Sequence, residues 1–104
     1  MSVHAFYIEE EERLDLSFEG NLDFTVSRDV CDICRQAAGG LKSCIVDLSN
    51  VERMFDSGAA MLQMLYRRMR SLGTTVVFLS DRADIRDWIP IITCKPGRQS
   101  LSNP

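Results

Sequence analysis

With 104 residues, 45% hydrophobic, 26% charged and a net charge of −3, the chain has the make-up of one compact domain. It is too short for two domains and too apolar for a disordered tract. No apolar run approaches the ~20 residues needed to cross a bilayer, and Met1-Ser2-Val3-His4 lacks the basic and apolar pattern of a leader, so the chain reads as cytoplasmic. Residues 1–52 hold eleven acidic and four basic residues, and residues 53–104 four acidic and eight basic. Without a dense basic face the chain is not expected to bind nucleic acid. The uneven charge instead suits a protein partner.

Ala5–Ile8 reads as a first strand and the four glutamates 9–12 as an exposed turn. Leu14, Leu16 and Phe18 alternate with Arg13, Asp15, Ser17 and Glu19, the period of a half-buried strand. The two strands are expected to pair as a hairpin. Gly20–Asp23 reads as a turn, with Asp23 or Thr25 capping a helix that runs to about Ala38 and stops at Gly39-Gly40. Cys44–Leu48 reads as a buried strand and Ser49–Phe55 as a loop. A second helix is predicted from Ser57 to Leu72, its stripe formed by Leu62, Leu65, Met69 and Leu72 and its end marked by Gly73. Thr75–Leu79 reads as another buried strand. Ser80 or Asp81 then caps a short helix, Arg82–Ile89, which Pro90 ends. Ile91–Cys94 fits a final edge strand, and residues 95–104 fit a flexible tail after a domain spanning 1–94.

The expected architecture is therefore α/β. A mixed sheet of four or five strands, made of the hairpin and a parallel β-α-β unit, carries about three helices. The four cysteines are expected to be reduced in the cytosol. Cys31-Asp32-Ile33-Cys34 matches C-x-x-C, but it lies inside a helical pattern (Val26, Val30, Ile33, Ala37). A thioredoxin-like site would instead open a helix after a strand. Cys34 reads as a core residue and Cys31 as its flank. Structural zinc needs four ligands, and the remaining cysteines and the single histidine are scattered, so no metal and no cofactor is implied.

One segment has chemistry. In open α/β sheets, sites form beyond the carboxyl ends of strands near helix N-termini, which is where Phe55-Asp56-Ser57-Gly58-Ala59-Ala60 falls. Ser57 fits two roles there. It can cap the second helix, or its hydroxyl can accept a phosphate beside the helix N–H groups. Small Gly58, Ala59 and Ala60 would let a partner approach. Arg53 fits either a solvated loop charge or a contact to a phosphate or an acidic partner. No nucleophile elbow, histidine base, phosphate loop or dinucleotide fingerprint is present, so the chain is not expected to be an enzyme.

These segments resemble those of STAS domains, the family of bacterial anti-sigma factor antagonists, which has relatives in sulfate transporters and lipid-transport complexes. Glu19-Gly20-Asn21-Leu22-Asp23 resembles the G-x-L-D element before the first helix, and Cys44–Val51 resembles the strand that ends in Asp-Leu. Asp56-Ser57-Gly58-Ala59 resembles the Asp-Ser motif, and Arg70–Gly73 with Val76–Leu79 resembles the helix end and strand that follow. The likeness covers about residues 5–89. It does not extend to the glutamate turn or to the chain after Trp88.

The resemblance implies a switch. The unphosphorylated domain would bind an anti-sigma factor that is also a serine kinase; phosphorylation of Ser57 would end the binding, and a serine phosphatase would restore it. Asp23 and Asp56 match acidic residues near that serine. The resemblance also allows a non-switching subunit of a membrane transport complex of the lipid ABC type, or a regulator with another output. It leaves the oligomeric state open.

Overall fold

The computed structural model describes residues 2–94; the predicted tail, 95–104, lies outside them. The elements are β1 (Ser2–Ile8), β2 (Arg13–Leu22), α1 (Ser27–Gln36), β3 (Ser43–Met54), α2 (Asp56–Ser71), β4 (Thr75–Leu79) and two one-turn helices, α3 (Ala83–Arg86) and α4 (Ile89–Ile92). Short 3-10 turns occupy Glu9–Glu11 and Phe24–Val26. The four strands form one mixed sheet in the order β1-β2-β3-β4. β1 runs antiparallel to β2, while β2–β3 and β3–β4 are parallel. The predicted hairpin and β-α-β unit are both present.

The core follows from the strand alternation. Leu16 and Phe18 of β2 and Cys44, Val46 and Leu48 of β3 point to the same side of the sheet and are fully buried. Val30 of α1 and Leu62, Leu65 and Met69 of α2 close over them. α2 ends as its sequence predicts: Gly73 takes φ +83°, and the Thr74 N–H donates to the Met69 carbonyl at 3.0 Å.

Several expectations are corrected. β2 continues through the predicted turn at Gly20–Asp23. Gly20, at φ +88°, absorbs a register shift, and Asn21 and Leu22 go on to pair with Arg53 and Met54. For the same reason Ser49–Phe55 is not a loop. β3 extends to Met54, and its Val51 is buried. α1 stops at Gln36, two residues early, because Ala37 turns extended.

β4 is an edge strand rather than a buried one. Its Val77 and Leu79 lie on the sheet face opposite the core and are exposed among the described residues. Residues 91–94 form no strand. Ile89–Ile92 is a helical turn with Pro90 in its first positions, where the missing N–H costs nothing, and Ile92 is driven into the core. Pro90 therefore belongs to this new turn instead of ending the previous helix.

Candidate functional site

The carboxyl ends of β2 and β3 meet the N-termini of α1 and α2 at one corner. At Asp23 the chain leaves β2, and the Asp23 carboxylate accepts from the Thr25 N–H at 2.9 Å and from its hydroxyl at 2.5 Å. Asp23 thus caps the turn that leads into α1, as its residue type predicts. The Thr25 donors hold its carboxyl below the usual carboxylate range. A depressed folded pKa contributes stability above the unfolded value of ~3.9, and this is lost as pH falls through the folded value. Asparagine caps about as well as aspartate. Asp23→Asn is therefore expected to leave the neutral-pH urea midpoint nearly unchanged and to flatten its fall between about pH 5 and pH 2. An equally steep acid limb in the variant would show that the Asp23 charge plays no part.

α2 begins at Asp56, with Phe55 in the capping position. Ser57 is consequently the second helical residue and not the cap, and no side chain caps this helix. The first intrahelical acceptor in use is the Phe55 carbonyl, which takes the Ala59 N–H at 2.9 Å. The N–H groups of Asp56, Ser57 and Gly58 have no acceptor among the described residues. The half-buried Ser57 hydroxyl likewise has no hydrogen-bond partner among them. A free hydroxyl stands beside free amides at the positive end of a 16-residue helix.

Gly58 and Ala59 are buried and do not form an outward-facing platform. A Cβ on Gly58 would lie 2.1 Å from the Leu22 carbonyl oxygen. That oxygen also accepts the Phe55 N–H at 2.9 Å, which locks β2 against the start of α2. The smallness of Gly58 therefore serves this close approach. Arg53, on the last stretch of β3, sets its guanidinium 5.3 Å from the centre of the Phe55 ring. Asp56 is exposed, and Asp23 and Asp56 share the corner without bonding each other or Ser57.

The rim of this corner is apolar. Phe24, Phe55 and Ile91 are 69%, 38% and 56% exposed. Beside Asp56, a cleft of about 240 Å³ is lined by Ala59, Ala60, Gln63, Trp88 and Ile91. The Gln63 side-chain amide donates to the Ile91 carbonyl at 3.3 Å and ties α4 to α2. Sequence reasoning missed Trp88 and Ile91 because nothing in it placed residues 88–92 against α2, and it passed over Phe24 in the turn before α1. Gln63, a turn beyond Ala59 and Ala60 on α2, was the available signal.

A second, roomier cavity, about 540 Å³, lies between β1 and the end of α1. Among the described residues that line it, Glu12 alone is charged. Among the described residues no three His, Cys, Asp or Glu side chains gather as metal ligands, and no helix is long and apolar enough to cross a membrane.

The architecture has solved counterparts. The anti-sigma factor antagonist STAS domain from Rhodobacter sphaeroides aligns with a TM-score of 0.62 at 20% identity, covering 75% of this chain and 84% of that one. The anti-sigma factor antagonist SpoIIAA in its unphosphorylated form aligns at 0.65 and 14% identity, over 86% and 83%. Mglu aligns at 0.65 and 23% identity over 75% of this chain, which spans about 20% of the Mglu chain. The chain thus has the STAS fold, a fold that also occurs as a small part of larger proteins. Comparison with protein-family models and with curated proteins gave no match.

Proposed function

We infer that this chain is a phospho-regulated binding module of the anti-sigma factor antagonist kind, without catalytic activity of its own. The carrying observation is the half-exposed Ser57 hydroxyl beside three amides at the start of α2, all without a hydrogen-bond partner among the described residues. The apolar rim of Phe24, Phe55 and Ile91 supplies contact area for a protein, and Asp56 and Arg53 supply charges for register. The anti-sigma factor antagonists among the structural counterparts support the same reading.

In this proposal the unphosphorylated corner docks on an anti-sigma factor that is also a cytoplasmic serine kinase. The kinase transfers the γ-phosphoryl group of ATP to Ser57 Oγ; the hydroxyl proton passes to the kinase's base, and ADP leaves. A serine phosphatase hydrolyses the ester and restores binding. Asp23, Asp56, Gly58, Ala59 and Arg53 form the surroundings of the switch. Asp23 and Gly58 act by shaping the backbone, and Asp56 and Arg53 act by charge.

The test is to incubate the chain with ATP and its cognate anti-sigma factor kinase, then map the modification by mass spectrometry. The expected result is one phosphate, on Ser57, absent from Ser57→Ala. No mass gain, or a gain that persists in Ser57→Ala, overturns the switch and favours a constitutive subunit, such as one serving a membrane transport complex.

A further inference from the structure

The C-x-x-C pair is the chemical motif that the corner site does not use. Cys31 and Cys34 lie on α1, one turn apart and both half-buried. Residues three apart on a helix hold their Cβ atoms about 5–6 Å apart on adjoining rows of one face. Cys34 also feels Cys31 electrostatically: burial first and the Cys31 thiol second push its pKa up, and Arg68 opposes them. Arg68 reaches across from α2 and donates to the Cys34 carbonyl at 3.2 Å and to the Ala37 carbonyl at 3.5 Å, which places a cation beside the pair.

This spacing disfavours a disulfide. A disulfide needs Cβ atoms about 3.5–4.5 Å apart, so closing one would distort the turn between buried Val30 and core-packed Ile33. An ion bridging two sulfurs spans about twice a metal–thiolate bond of ~2.3 Å, a wider separation than a disulfide demands. Zinc would want four ligands, and the described residues offer no third His, Cys, Asp or Glu here. Soft thiolates select Cu(I), and a monovalent d10 cation is satisfied by two of them.

We propose that Cys31 and Cys34 form a two-thiolate site for a soft monovalent metal ion of the Cu(I) class on α1, at its edge beside Arg68 of α2. Binding converts two thiols and one Cu(I) into a bis-thiolate complex of charge −1 and releases two protons, with no change in oxidation state. The Arg68 guanidinium offsets the charge that forms. The site lies on α1, away from Ser57, so it stands or falls independently of the phosphorylation switch.

The test is an anaerobic titration of the reduced full chain with Cu(I) against a coloured Cu(I) chelator. One equivalent should be captured with release of two protons. Cys31→Ser and Cys34→Ser should each weaken capture about 100-fold or more by removing the chelate. Cys94→Ser should bind like the parent, and Cys44 is buried, with its thiol pushed up to about 12. Far-UV circular dichroism of each variant separates a lost ligand from a lost helix. Capture unchanged in both α1 variants, capture that disappears with Cys94→Ser, or tighter binding of Zn(II) than of Cu(I) overturns the assignment.

Discussion

Gly58→Ala is expected to destabilise the fold by about 3 kcal/mol, near the upper end of overpacking costs, and to lower Tm by roughly 15 °C. The sign is the reverse of the usual one. Inside a helix, alanine is favoured over glycine by up to ~1 kcal/mol, and at an open position the change would stabilise. Here the new methyl would sit 2.1 Å from the Leu22 carbonyl oxygen and 2.5 Å from its carbon. Both are backbone atoms of β2 and cannot rotate away. Relief requires α2 to withdraw from the sheet, which loosens the Phe55–Leu22 hydrogen bond and opens the packing of Leu62 and Leu65. Urea unfolding against Ser57→Ala as a neutral neighbour checks this, since that control should stay within about 0.5 kcal/mol of the parent. A Gly58→Ala protein as stable as the parent would show that β2 and α2 do not approach so closely.

The elements that were legible in the sequence are those whose burial is one-sided. β2 alternates because helices cover one of its faces, and the α2 stripe is clear because only one side of the helix meets the sheet. The errors arise where backbone pairing overrides residue type. Gly20 signals a turn, yet its positive φ serves a bulge, because the parallel neighbour β3 continues to Met54. Polar Ser49, Asn50, Glu52 and Arg53 look like a loop, but the ladder to β2 needs no apolar side chains on its open face.

The apolar run Val76–Leu79 of β4 reads as buried, and its position at the sheet edge depends on strand order, which local pattern does not encode. The corner itself was legible from Asp23, Asp56 and Ser57. The distinction between Ser57 as cap and Ser57 as free hydroxyl was not, because it turns on a one-residue difference in where α2 begins.

Phosphorylation of Ser57, or its Ser57→Asp mimic, is expected to weaken partner binding more than about 100-fold while leaving the fold's stability nearly unchanged. The two effects separate because the same charge meets two environments. In the free chain the added charge lies at the N-terminus of α2, where three amides lack acceptors among the described residues and the helix dipole favours an anion by about 0.3–1 kcal/mol. Repulsion from exposed Asp56 is screened by solvent and offsets part of this. In the complex, a partner seated on Phe24, Phe55 and Ile91 would exclude water from the corner. An uncompensated charge buried in an interface costs about 3–5 kcal/mol, and a phosphate of about −1.5 to −2 beside Asp56 adds both charge and bulk.

Calorimetric titration of the proposed partner, an anti-sigma factor kinase, with parent, Ser57→Ala and Ser57→Asp proteins, alongside urea unfolding of each, measures both halves. Ser57→Ala should bind like the parent, and Ser57→Asp should lose binding while its unfolding midpoint stays close to the parent's. Equal loss of binding in both variants would make the hydroxyl a contact rather than a switch. A large fall in stability for Ser57→Asp would mean that the charge acts by disrupting α2 rather than by blocking the docked state.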